Sequence, residues 1–389
     1  MAIAAVPDYL GQDFTQASPG MRFGPYFKVW SSLPQATINP GDKTAALKAA
    51  ATLTSNDQAC QAALIARQEL FAQAQPAATR LTLDAVAIAP FMTGLGIEHP
   101  LENGFAFLNP YGLPYLPGSG VKGVLRTAAS ELASGDWGDT AGWHADAIDA
   151  LFGPAPVDTT QDKIGDTTDD PKRRRGALVF WDVIPDIGAG KSLQLDIMTP
   201  HQSHYYQDAT PPHDSGQPNP IVLLSVPPAS RFRFHVQCRP GLLRNVQPQL
   251  LDDNAWQQLL EAAFQHAFDW LGFGAKTAVG YGHMAIDEQA QQQRQKHAAI
   301  AEREQILAAL TEDQRTLQRL TELLDTDTAS KGPSGELWEA LRSAVDSADT
   351  WPPASRDALK HLANQTFKHL GVDRKKTKSA KALWQRLTQ

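Results

Sequence analysis

Cysteine is nearly absent: the 389 residues contain two, Cys60 and Cys238. Two thiols cannot build a disulfide framework or a four-cysteine metal site, and such scarcity suits a reducing compartment. Long apolar runs are missing too, none approaching the ~20 residues that span a bilayer. The opening residues, Met1 to Pro7, carry no basic segment and are broken early by proline, which makes a poor secretion signal. These absences lead to the expectation of a soluble, cytoplasmic protein. The length exceeds one small core, so one large domain or two are expected. A hydrophobic content of 42% with 20% charged residues is that of a globular chain.

Clusters that carry chemistry are equally scarce. His201, His204 and His213 fit no zinc-ligand spacing, and prolines crowd them. Asp84, Asp182, Asp196, Glu98 and Glu102 stand singly, as surface or capping acids do, not as a paired general acid and base. No Ser-His-Asp or Cys-His arrangement can be traced. The sequence therefore predicts no catalytic residue, no resident metal and no cofactor.

The net charge of −7 argues at first against a polyanionic partner. Its distribution says otherwise. Acids are missing from Asn103 to Ser130, where Lys122 and Arg126 lie. They are missing again from Ser215 to Leu251, with Arg231, Arg233, Arg239 and Arg244, and from Trp270 to Ile286, with Lys276. Basic, glycine-bearing segments free of carboxylates suit a surface that faces phosphate.

The first such segment is Leu116-Pro-Gly-Ser-Gly-Val-Lys-Gly-Val-Leu-Arg126, which runs into a helical pattern ending near Ser134. A glycine-rich entry leaves backbone N–H groups bare at a helix N-terminus, where the dipole favours an anion. Lys122 and Arg126, four apart, add charge to the same face. The second segment, Gly272-Phe-Gly-Ala-Lys-Thr-Ala-Val-Gly-Tyr-Gly282, follows a strongly amphipathic stretch from Trp256 to Leu271.

Strand-like stretches at 81–89, 177–184 and 231–238, two helices at 118–134 and 256–271, and a last strand at 283–286 read as an α+β protein. Their order is that of a ferredoxin-like, RRM-like βαββαβ core. A hairpin-bearing insertion is expected between about 185 and 230. Three regions follow: a partly helical N-terminal region over 1–80, the core over 81–286, and an all-α extension over 287–389. The extension is predicted to break at Ser330–Gly335 and Trp351–Pro353, and the basic run Arg374–Lys378 reads as a solvated tail. The 172–175 run reads as part of a polar loop.

Two nucleotide motifs fail on context. Gly118-x-Gly120-x-x-Gly123 matches a dinucleotide fingerprint, but Leu113-Pro-Tyr-Leu-Pro117 carries two prolines that a central parallel strand excludes. Gly274-Ala-Lys-Thr277 resembles a P-loop ending without the required glycines. What remains is sequence-tolerant RNA binding: small residues admit the backbone, Lys and Arg neutralise it, and aromatics stack bases.

At these residues the chain resembles the RAMP superfamily of CRISPR systems, and within it the sixth-subunit family of the type III-B Cmr effector complexes. The resemblance is carried by Gly94…Glu98-His-Pro100…Glu102-Asn-Gly104, Leu116–Arg126, Leu151-Phe-Gly153, Asp196–His201…Tyr205-Tyr206, Pro218–Ile221 and Gly272–Gly282. It implies a non-catalytic ribonucleoprotein subunit for antiviral RNA targeting, one that caps the backbone filament and holds the 3′ side of the CRISPR RNA. An inserted thumb would distort the guide–target duplex. The implied partners are CRISPR RNA, target RNA, the backbone RAMP subunit, the small helical subunit and a neighbouring capping RAMP subunit. The expected RNA-facing residues are Gly118, Ser119, Gly120, Lys122, Gly123, Arg126, Gly272, Gly274, Lys276, Thr277, Gly280 and Gly282, joined on the resemblance by His201 and Tyr205. The alternative is a metal-independent RNA-processing endonuclease of the same superfamily, with His99, His201 or His204 as acid or base.

Overall fold

A computed structural model describes residues 2–31, 37–38, 40–101, 103–154, 174–199, 205, 210–211, 218, 220–328 and 330–388. The chain forms two compact units, residues 1–291 and 292–389.

The first unit mixes helices with an antiparallel sheet. Its described strands are β1 (Arg80–Ala87), β2 (Phe107–Leu108), β3 (Leu113–Pro114), β4 (Leu178–Phe180), β5 (Gln194–Met198), β6 (Ile221–Ser225), β7 (Arg231–Cys238) and β8 (Met284–Ile286). Its principal helices are α1 (Pro19–Phe23), α2 (Lys43–Ala51), α3 (Ser55–Gln73), α4 (Gly118–Ser134), α5 (Ala145–Phe152) and α6 (Ala255–His266). Four strands make the main sheet in the order β4-β7-β1-β8, each pair antiparallel. α4 lies in sequence between β1 and β4, and α6 between β7 and β8.

The period of two in β1 decides which face is apolar. Leu81, Leu83, Ala85 and Ala87 are buried, and the register Leu83↔Phe234 and Ala85↔Phe232 adds the phenylalanines of β7 to the same face. Against it pack the buried stripe of α4, Val121, Leu125, Ala128, Ala129 and Leu132, and that of α6, Leu259, Leu260, Ala263 and Phe264. Phe234 meets Phe264 at 5.2 Å and Phe273 at 5.0 Å between ring centroids. Each such side chain contributes about 2–3 kcal/mol by leaving water.

The opposite face is also covered. α3 is started by a capping box in which Thr54 and Asp57 exchange hydrogen bonds. Arg233 donates from that face of β7 to Asp84 at 2.7 Å and to Glu69 of α3 at 2.9 Å. Arg80 donates to the Ala72 carbonyl, Gln237 to Gln75, and Phe71 lies 5.2 Å from Trp181. The buried Arg22 guanidinium donates to the carbonyls of Ala17, Ala49 and Thr52 and pairs with Asp57 at 3.6 Å, tying α1, α2 and α3 together. Residues before β1 therefore belong to the core of this unit, with Phe23, Phe27, Val29 and Leu47 inside it.

β5 and β6 form a separate two-stranded hairpin, Gln194↔Ser225 to Met198↔Ile221. Ser192 accepts from the Leu53 amide and Leu193 donates to the Ala51 carbonyl, so the base of the hairpin is fixed to the end of α2.

In the second unit, α7 (Glu288–Ala309) crosses the unit boundary in sequence. α8 (Glu312–Thr326), α9 (Glu336–Ser347), α10 (Pro353–His369) and α11 (Lys378–Thr388) enclose a core of Leu320, Leu337, Trp338, Leu341, Leu359, Phe367 and Leu383. The basic run Arg374–Lys378 has its basic residues exposed, as expected of a solvated run, but it is not a tail. It is a turn between α10 and α11, closed by Asp373, whose carboxylate accepts from the Lys375 amide and whose carbonyl accepts from Thr377. Arg374 lies 4.8 Å above the Trp384 ring.

Candidate nucleic-acid interface

α4 begins at Gly118 because Pro117 cannot continue a helix backwards and its fixed φ suits a helix entry. Gly118 itself is a packing requirement. A Cβ there would lie 2.3 Å from the Phe180 carbonyl at the end of β4. Its N–H is not bare, as the sequence alone suggests: it donates to Asp182 Oδ1 at 2.7 Å. Of the two roles expected for this singly placed acid, surface or capping, it takes the second, so the first amide is already committed to an anion of the protein's own.

The exposed side of α4 is different. Ser119, Gly120, Gly123, Thr127 and Ser130 lie open to solvent at helical spacing, opposite the buried stripe. A Cβ at Gly123 would meet nothing within 4 Å. Lys122 and Arg126 are half-buried on this side, and Arg126 reaches Asp149 of α5 at 4.0 Å. Burial, and then the charges of Arg126 and Arg175, hold the Lys122 ammonium below the ordinary lysine value. A lysine whose neighbours are two guanidiniums is stabilised by an incoming anion. Arg175 lies outside the predicted set. Its position follows from Gly176, which packs so closely on Phe152 and Gly153 that a Cβ would come within 2.3 Å of the Phe152 carbonyl carbon. Only the charge run at 172–175 hinted at it.

The second glycine stretch is built from a π-helical turn, Ala267–Leu271, in which the Gly272 amide donates to the Ala267 carbonyl at 2.8 Å. Phe273 turns inward and is fully buried. The Ala275 amide donates to Met92, the Gly282 amide to Pro90, and the Phe273 amide to Gly282. Cβ atoms at Gly274 and Gly282 would fall 2.2 Å from the Met92 carbonyl oxygen and 1.8 Å from that of Phe273. Gly272, at φ +68°, would crowd Thr277 at 3.2 Å. Gly280 has open space around it. Lys276 is exposed in a left-handed conformation, φ 61°, and Thr277 is half-buried beside it. Tyr281 donates to Asp196 Oδ2 at 2.9 Å and so joins the stretch to the β5–β6 hairpin. Burial first and then this carboxylate hold the Tyr281 phenol above its usual value.

The two stretches sit at the two edge strands. Gly118 lies against β4, while the second stretch leads into β8, whose first residue Met284 pairs with Ala87. With neighbouring strands ~4.8 Å apart, the edges of this sheet are roughly 14 Å from each other. Tyr205 is exposed, and His201, with His204, lies outside the described residues.

His99 is accounted for structurally. Its Nδ1 accepts from the Leu101 amide at 3.2 Å, which leaves Nε2 to donate to the Phe23 carbonyl at 2.8 Å. The ring stacks on Phe23 at 3.9 Å, and burial lowers its pKa. Both nitrogens are occupied, which removes the geometry an acid or base needs. Burial pushes the Cys238 thiol up to about 12, far from a nucleophile's range. Among the described residues no group of three His, Cys, Asp or Glu side chains converges on a metal-sized site.

These features define a class: an α+β protein that shows a small-residue, basic helix face backed by an antiparallel sheet. The chain belongs to the RAMP superfamily, whose family model matches residues 84–285, just over half its length. It is 30% identical over 233 residues to the CRISPR system Cmr subunit Cmr6 of Pyrococcus furiosus, covering 50% of this chain and 64% of that protein. It thus spans less than two thirds of that curated relative. Similar solved structures include the crystal structure of Cmr6 from Pyrococcus furiosus, at 27% identity and a TM-score of 0.28, covering 53% of this chain and 97% of the other. Another is the Type III-B Cmr-beta complex bound to cognate target RNA, solved by cryo-electron microscopy, at 16% identity and a TM-score of 0.39, covering 72% and 88%. No described helix is long and apolar enough to cross a membrane.

Proposed function

We propose that this chain is a non-catalytic, RNA-binding structural subunit of a cytoplasmic type III-B CRISPR ribonucleoprotein, of the Cmr6 kind. In this reading the main sheet with α4 and α6 is a ferredoxin-like core, the β5–β6 hairpin is its thumb, and residues 287–389 are an appended helical domain. Its partners are CRISPR RNA, target RNA and the other Cmr subunits, and its place is the cap of the backbone filament on the 3′ side of the guide. The observation that carries RNA binding is the placing of Lys122 and Arg126 beside the exposed small residues of α4, with the charge of Arg175 felt at Lys122. α3 covers the sheet face that would otherwise be available to bases, so the reading places RNA on the helix side. Lys276 and the surface around Gly280 are a second contact.

The test is anisotropy of a labelled, unstructured RNA with the full chain and its Lys122→Ala/Arg126→Ala variant. The expected result is binding weakened about tenfold or more at low salt, with an unchanged circular dichroism spectrum. Two lost phosphate contacts should flatten the slope of log K against log salt by about 1.4. Equal affinity and equal slope would remove this face from the RNA path. Site-specific RNA products formed by the purified protein without metal would establish the endonuclease instead.

A further inference from the structure

The far end of α4 carries a feature of another kind. Trp137, just beyond the helix, and Trp270, in the π-helical turn after α6, face each other with ring centroids 5.0 Å apart at 54°. They are 48% and 61% exposed, unusual for the side chain that gains most from burial. The pair is held in place. His266 packs its ring against Trp137 at 5.0 Å, nearly perpendicular, and its Nε2 lies 2.7 Å from Glu131 Oε2. π-helical turns insert a residue into a helix and recur at functional positions. Here the turn sets Trp270 beside a cleft of about 460 Å³ that runs along α4 from Arg126 to Trp137, with Glu131 and Asp136 in its wall.

The end of the cleft next to Trp137 carries two carboxylates, Glu131 and Asp136, while Arg126 lies at its other end. Among the described residues no lysine or arginine pairs with Glu131, Asp136 or Asp269. Phosphate is repelled by such a surface, whereas a cation gains both from the carboxylates and from the faces of the two indoles. Exposed tryptophans in a polar rim are also the side chains that anchor protein interfaces.

We infer that Trp137 and Trp270, with Glu131 and Asp136, form a docking site for an arginine- or lysine-bearing segment of a partner protein. The site adjoins the RNA face, since Arg126, Thr127 and Ser130 line the far end of the same cleft, but it stands whether or not that face binds RNA. The probe is an eight-residue Gly-Arg repeat peptide, titrated into the full chain labelled with 5-fluorotryptophan and followed by fluorine NMR. The chain has nine tryptophans, and Trp137→Phe and Trp270→Phe assign the two signals. Both should move and saturate with the arginine peptide and stay still with a matched Gly-Glu peptide. Asp136→Asn, which alters an exposed side chain only, should weaken the response about threefold. The inference falls if the arginine peptide leaves both signals in place, or if a uridine 15-mer moves them. It falls equally if they shift with protein concentration alone, since the occupant is then a second copy.

Discussion

The two glycine-rich stretches of this protein look alike as sequence and differ as structure. In the first, Gly118 is packed against β4 and the other two glycines, 120 and 123, face solvent from the exposed side of a helix. In the second, Gly274 and Gly282 close a turn against Pro90, Met92 and Phe273 while Gly272 packs on Thr277, each at positive φ. Glycine serves two ends here: it lets the chain approach itself in the second stretch, and leaves room for something else in the first. The contrast predicts that the second stretch is chiefly architecture that presents Lys276, and the first is chiefly surface.

The hardest test is Gly282→Ala. A side chain at φ +70° meets left-handed strain and a carbonyl oxygen at 1.8 Å, so the full chain should lose about 3 kcal/mol or more. Urea denaturation followed by intrinsic fluorescence measures it. A loss under about 0.5 kcal/mol, the size of an ordinary surface change, would end the distinction, because the second stretch would then be as open as the first.

This contrast also marks how far the sequence could be read. The strand at 81–89, the helix that starts at Gly118 and the amphipathic stripe of α6 were all legible, because local periodicity decides them. The basic pair Lys122 and Arg126 was legible from helical spacing. What was not legible depended on distant partners. Asp182 is 64 residues from the amide it caps. Tyr281 reaches an aspartate 85 residues away. The charge of Arg175 reaches Lys122 from a backbone that Gly176 packs against the end of α5. The coverage of the sheet by α3 depends on Arg233 meeting Glu69 across 164 residues. None of these leaves a periodic mark, and each changes what the site can bind.

A milder test addresses the first stretch. Gly123 stands in the interior of α4 with no atom within 4 Å of a Cβ. Gly123→Ala should therefore stabilise the chain by about 0.8 kcal/mol, the ordinary preference of a helix for alanine. If RNA lies along this face the same methyl group comes between backbone and backbone, and affinity for the unstructured probe should fall severalfold. Greater stability with weaker binding sharpens the contrast; greater stability with unchanged binding leaves Gly123 a mere passenger and moves the RNA toward Arg175.

The smallest effect is the most discriminating. Lys276 holds a left-handed conformation, φ 61°, that costs a non-glycine residue about 1 kcal/mol, and a glycine there loses a similar amount through the freedom it brings to the unfolded chain. Lys276→Gly should thus change stability by only a few tenths of a kcal/mol. The loop around it keeps its anchors, since Phe273, Ala275 and Gly282 hold it through their backbone amides. Any change in RNA affinity then reports the lost ammonium and not a rearranged turn. The expected result is a salt slope flatter by about 0.7, one phosphate contact, in a protein with an unmoved melting curve. A flat response in both would make the whole second stretch architecture, and the strained lysine an accident of the turn it occupies.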